Sequence, residues 1–268
     1  MLDLDEMTMQ YREEGYSSFL AEARVCQDIV LKAISKSSMR HNVTIKGGVV
    51  MRSLTGNVRR ATRDIDFDFI KHSIDEASIR EFIKEINCLE GVSIEISGSI
   101  EELSQQEYRG KRVWVMISDE NGKRIKSKMD LGVHKNVQIE QEEFCFDVCL
   151  DNEGVSLLIN SMEQIFAEKL RALLKFGVFS GRVKDVFDLC FLSGHIKKEK
   201  CSECIQTYIL DDDEMFENSM SDIRKRVEKV FGDSEFRKTM KNSKKDNWLG
   251  VEIDEAFKQI EICLNEIE

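Results

Sequence analysis

Proline is absent from all 268 residues, and with it any proline-rich spacer between domains. No repeat, low-complexity linker or domain-scale shift in composition takes its place. Apolar runs long enough to cross a bilayer are also missing, which excludes a membrane-spanning helix. The opening stretch, Met1 to Tyr16, is acidic and lacks a signal-peptide pattern, so the chain is expected to stay in the cytoplasm. Positive charge is in short supply: 39 Lys and Arg stand against 50 Asp and Glu, a formal net charge of −11. A molecule of that charge is repelled by nucleic acid as a whole, so any RNA partner must meet a local basic surface. Candidates are Arg59, Arg60 and Arg63, and the clusters Arg224 to Lys229 and Arg237 to Lys245. For the last two the plain reading is a solvated helix face.

Closely paired cysteines are scarce as well. The 8 cysteines are scattered, and reduced thiols are expected in an intracellular chain. The one tight spacing is Cys201-x-x-Cys204, with His195 upstream. A zinc site needs about four ligands and no second pair stands nearby, so packed helical cysteines are the expectation.

What is present describes a soluble globular protein, 41% hydrophobic and 33% charged. We expect two lobes, residues 1–160 and 161–268, in an α/β fold: a mixed sheet of about six strands, then helices. From Tyr16 to Ser38, Phe19, Leu20, Ala23, Cys26, Ile29, Val30, Ala33 and Ile34 recur at helical spacing, giving a packing helix. A second helix runs through Asp75 to Asn87, with Ile79, Phe82, Ile83 and Ile86 as its buried stripe. Period-two segments follow around Val92 to Ile96, Val113 to Ile117, Met129 to Val133 and Phe144 to Leu150.

The chemistry concentrates between Thr44 and Asp68. That stretch reads as a strand (Val43 to Lys46), a Gly47-Gly48 turn, one or two helical turns, a basic loop and a second strand. In an extended segment Asp64, Asp66 and Asp68 share one face while Ile65, Phe67 and Phe69 share the other. Carboxylates about 6.5 to 7 Å apart on one face can converge on a divalent cation, and their crowding is costly without one. A glycine pair opening a helix lets the backbone approach a ligand, and the unpartnered first amides favour an anion. Phosphates at a helix N-terminus beside a metal on an Asp-x-Asp strand are the parts needed for phosphoryl or nucleotidyl transfer. Asp130, between Met129 and Leu131, is placed on the polar face of its own strand. In the helix MEQIFAEKLRALLKF, Lys169 falls among Met162, Ile165, Phe166, Leu170, Leu173 and Phe176 on one apolar arc. Its amine must either reach solvent or meet an anion. The helix RVKDVFDLCFL places Asp185 and Asp188 one turn apart, with Lys169 and Arg182 as candidate partners.

The run GG-x3-R followed by R-x-T-x-D-I-D-F resembles the signature of the AbiEii/AbiGii-type nucleotidyltransferase toxins, within the DNA polymerase β-like nucleotidyltransferase superfamily. E-x2-F-A-E-K-L-R-A-L with R-x2-D-x2-D-L resembles the second block of the same family. The resemblance covers residues 43 to 193 and fades in the tail. It implies a metal-dependent nucleotidyltransferase toxin of a toxin-antitoxin or abortive-infection system, moving a nucleoside monophosphate from an NTP to an acceptor such as tRNA. It further implies Mg²⁺ on Asp64, Asp66 and Asp130, nucleotide contacts at Gly47, Gly48, Arg60, Thr62 and Lys169, catalytic support from Lys169 and Asp185, and a cognate antitoxin protein. Two alternatives stay open: a nucleotidyltransferase acting on a small molecule, and a silent nucleotide-binding partner protein. The intact acid set weighs against the second.

Overall fold

A computed structural model describes residues 2–103, 110–136 and 138–268. The chain divides into two compact units, Met1–Asn160 and Ser161–Glu268.

The first unit is built on a mixed sheet. Its strands are β1 (Val43–Lys46), β2 (Ile65–Phe69), β3 (Val92–Leu103), β4 (Gly110–Asp119), β5 (Arg124–Val133), β6 (Glu142–Val148) and β7 (Asp151–Ile159), in the spatial order β3-β4-β5-β2-β1-β7-β6. β2 runs parallel to β5 and β1 parallel to β7, and the remaining neighbours are antiparallel. Its helices are α1 (Leu4–Glu13), α2 (Ser18–Lys36), α3 (Gly47–Thr55) and α4 (Glu76–Ile86). Ile65, Phe67 and Phe69 are fully buried, as the alternation requires, and Phe82 of α4 packs its ring 5.3 Å from Phe67 and 5.0 Å from Phe69. Asp75 caps α4 by accepting from the Ser78 amide, which starts the helix where its apolar stripe begins.

Three expectations need correction. Among the described residues the sheet has seven strands where about six were expected, because β6 and β7 form a hairpin across a turn at Cys149 and Leu150. β7 opens with Asp151, Asn152 and Glu153, and neither they nor that turn carry a hairpin signal in sequence. α1 was not expected at all. Its Tyr11 hydroxyl donates to Asp28 of α2, which also pairs with Arg24 and accepts from the Cys149 amide at 3.0 Å. Finally, Phe19 does not join the buried stripe of α2. It sits in the first turn, 52% exposed, with the Arg63 guanidinium 3.8 Å from its ring centroid.

The second unit is helical: α5 (Met162–Phe176), α6 (Val183–Ser193), α7 (Lys198–Ile205), α8 (Met220–Gly232), α9 (Ser234–Asn242) and α10 (Ile253–Glu266). Ser161 caps α5 through the Gln164 amide. Phe231 of α8 stacks on Phe257 of α10 with centroids 4.0 Å apart, and Phe236 of α9 joins them. Cys201 and Cys204 are buried in α7, and burial pushes the Cys204 thiol up to about 12, so both behave as small apolar residues. His195 stacks on Phe191, 4.2 Å between centroids.

Candidate active site

Strand register builds the first half of the site. Lys46 of β1 pairs with Asp66 of β2, Asp66 with Asp130 of β5, and Asp130 with Arg112 of β4. Directly paired residues share a face. One row across four strands therefore reads cation, carboxylate, carboxylate, cation. Asp64, one residue before β2, lies on the same face, and its Oδ2 is 2.8 Å from Lys128 Nζ. Arg112 grips Asp130 with two hydrogen bonds of 2.8 Å. Asp68 is buried and its Oδ1 lies 2.6 Å from Lys46 Nζ.

The two central carboxylates crowd one another. Burial, then the charge of Asp130, pushes the Asp66 carboxyl up to about 6, with Asp64 adding to the rise and Lys46 and Lys128 opposing it. Asp66 thus carries an ionised form that its surroundings do not fully compensate.

On the β1 side of Asp66, α3 begins at Gly47 itself, so both glycines belong to the first turn of the helix rather than to a turn before it. Gly47 has φ +64, and a Cβ there would lie 2.6 Å from Asp66 Oδ2. The backbone therefore lies directly against the carboxylate. No side chain caps this helix and no acid occupies its first turn, which leaves the positive end of its dipole for an anion. Gly48 serves packing: a Cβ there would fall 2.6 Å from the Thr62 Cβ. Thr62 is thereby placed behind the glycine turn, and its carbonyl accepts from Gln27 at 2.9 Å. Arg60 is 4% exposed and so contributes no charge to the surface, whereas Arg59 and Arg63 are exposed.

In the second unit, Lys169 Nζ lies 2.6 Å from Asp185 Oδ1 and 2.8 Å from Asp188 Oδ2. Asp188 is fully buried and also accepts from Trp248 Nε1 at 2.9 Å. Of the two fates open to this amine, solvent or an anion, the structure shows the second: two carboxylates of α6 hold it, with Arg182 3.8 Å from Asp185.

Hard oxygen donors at Asp64, Asp66 and Asp130 suit a divalent ion such as Mg²⁺, and burial with the charge of Asp130 raises the Asp66 carboxyl in spite of Lys46 and Lys128. As they stand Lys128 Nζ lies 2.8 Å from Asp64 and 4.0 Å from Asp130, Arg112 holds Asp130, and among the described residues no group of three His, Cys, Asp or Glu converges as a metal cluster. Their donor chemistry fits a hard divalent ion, while the partners they hold here are cationic side chains. Sequence reading missed Lys46, Arg112 and Lys128. The segment Lys126-Ser-Lys-Met-Asp130 did carry the signal, since alternation places both lysines on the face of Asp130.

The family of AbiEii nucleotidyl transferase toxins, from type IV toxin–antitoxin systems, matches residues 29–259. The chain belongs to that family, a nucleotidyltransferase class. Among solved structures, an antigenic nucleotidyltransferase-like protein from Paracoccidioides brasiliensis resembles it at 12% identity with a TM-score of 0.49, over 82% of this chain and 92% of that one. No curated protein matches the chain.

Proposed function

We propose that this toxin-family nucleotidyltransferase transfers a nucleoside monophosphate from an NTP to an RNA acceptor, with tRNA as the expected acceptor, in the cytoplasm. The observation that carries the reading is the contact between an uncapped helix start at Gly47 and the carboxylate of Asp66, itself paired in register with Asp130. Phosphate donors and metal donors thus adjoin. Asp64, Asp66 and Asp130 would hold Mg²⁺, which when bound neutralises the triphosphate and the leaving pyrophosphate. The first amides of α3 bind the triphosphate, Gly47 letting the backbone come close and Thr62 bracing Gly48. Lys169 and Asp185 support nucleotide binding as a preset ion pair, with Asp188 fixing the lysine. The acceptor oxygen bonds to the α-phosphorus as the bond to pyrophosphate breaks. A cognate antitoxin protein restrains the activity in the cell.

The test is incubation of the purified protein with each labelled NTP, Mg²⁺ and total cellular RNA, beside Asp66→Asn. Label in an RNA band that Asp66→Asn abolishes supports the reading. Label on a small molecule only would move the assignment to an antibiotic-type enzyme, and nucleotide binding with no transfer would leave a silent binding partner.

A further inference from the structure

Beside Asp64, on the β5 side of the acid row, lies a cleft of about 250 Å³ that the transfer reading has not used. Phe19, Arg63, Asp64, Trp114, Lys126 and Lys128 line it. Two aromatic rings belong to it, and each carries a cation. Arg63 lies 3.8 Å from the Phe19 centroid and Lys126 lies 4.7 Å from that of Trp114. Phe19 is 52% exposed in the open first turn of α2, so about half of its surface is left accessible beside the Arg63 contact. Aromatic faces interleaved with basic side chains are the equipment for a single-stranded nucleic acid: bases stack on rings and guanidinium planes, and the ammonium groups meet phosphates.

We propose that this cleft receives the terminal base of a single-stranded RNA acceptor. The inference rests on the transfer reading for its direction and on the geometry of the first unit for its place. The helix start that suits a triphosphate lies on the β1 side of Asp66, whereas the cleft lies on the opposite side, across β5 and β4. Donor and acceptor must approach the carboxylates from different sides, so the cleft falls to the acceptor. Its volume is below the roughly 300 to 1,000 Å³ of pockets that enclose a drug-sized molecule. That suits one stacked base and not a whole nucleoside triphosphate. Its three cations, Arg63, Lys126 and Lys128, outnumber its two acids, Glu22 and Asp64, which makes it a locally basic surface on a chain of net charge −11.

Trp114 serves as its own reporter. It is one of 2 tryptophans, and the other, Trp248, is buried in the second unit. The full-length protein is titrated, without metal, with a short single-stranded oligoribonucleotide, a blunt RNA duplex, or an NTP, while tryptophan emission is followed. The single strand is expected to quench the emission of the wild type, and Trp114→Phe should remove the quenching. Phe19→Ala should weaken binding at least tenfold with an unchanged melting temperature, because that ring is exposed. Affinity unchanged in Phe19→Ala, quenching that survives Trp114→Phe, or no quenching at all would overturn the proposal. So would equal affinity for the duplex, which reduces the effect to charge, or quenching by the NTP, which makes this the donor's base site. No turnover enters the measurement. A failed transfer assay therefore leaves it standing, and transfer with RNA binding indifferent to Phe19 sinks the cleft alone.

Discussion

At the scale of single residues, Asp66 is where fold and chemistry oppose each other. Desolvation, then the charge of Asp130, pushes the Asp66 carboxyl up to about 6, well above the usual carboxylate value. The native state then binds a proton that the unfolded chain has already released between about pH 4 and pH 6. Stability of the ion-free protein is therefore expected to fall as pH rises through that window and to level off above it, by on the order of 1 to 3 kcal/mol. Asp66→Asn should remove the slope, hold or raise the melting temperature at pH 7, and abolish transfer. Urea melts across pH 4 to 7 in a chelating buffer check the first two. A slope unchanged in the variant would assign it to another group. Glycine behaves differently here. Gly48→Ala should cost about 1 to 3 kcal/mol without nucleotide, since its Cβ would meet Thr62. Calorimetric titration of the folded remainder with NTP separates packing from binding. The alternation Asp-Ile-Asp-Phe made the face of Asp66 legible, because period two is local information. Its register neighbour Lys46, and the Arg112 that holds Asp130, were not legible, because they come from strand register, which is set by distant pairing.

At the scale of elements, the α5–α6 pair depends on one lysine. Helical periodicity alone placed Lys169 among apolar residues and left its amine either to reach solvent or to meet an anion, and α6 offered Asp185 and Asp188 as the nearest in sequence. Trp248, which donates to the same Asp188 from 60 positions further on, carried no local sign of that role. Lys169→Met keeps the stem volume but leaves Asp188, fully buried, without its countercharge. The expected cost is about 3 to 5 kcal/mol, because breaking a buried pair strands a charge. Trp248→Phe, which removes a single hydrogen bond to an ion, should cost less, about 1.5 to 3 kcal/mol. Denaturant melts of both variants test the ordering. A Lys169→Met protein as stable as wild type would show that Asp188 is neutral or hydrated in the folded state. NTP affinity in the folded fraction then reports separately on the lysine's part in nucleotide binding.

At the scale of the whole molecule, a net charge of −11 means that the proposed RNA acceptor has to meet a local basic surface. The mixed α/β character was legible because amphipathic periods of 3.6 and 2 alternate along the first 150 residues. α1 and β7 were lost because polar openings hide their buried faces: α1 starts with Leu4, Asp5 and Glu6, and β7 with three polar residues. The basic runs of the tail looked alike in sequence and differ in structure. Arg224 donates to the carbonyls of Leu264 and Ile267, and Arg237 to that of Phe231, so these two hold the helices together. Lys241, Lys244 and Lys245 are exposed. Reversing all three to Glu should therefore change stability by no more than about 0.5 kcal/mol at each site. If they meet acceptor phosphates, the same change weakens RNA binding. It also flattens the plot of log affinity against log salt by up to about 2, from roughly 0.7 for each of three lost contacts to a single strand. NTP affinity should stay put, since none of the three is among the residues proposed to hold the nucleotide, Gly47, Gly48, Thr62 and Lys169. RNA affinity and salt slope both unchanged in the triple variant would confine the acceptor to the sheet unit, with Arg63, Lys126 and Lys128 supplying its positive charge.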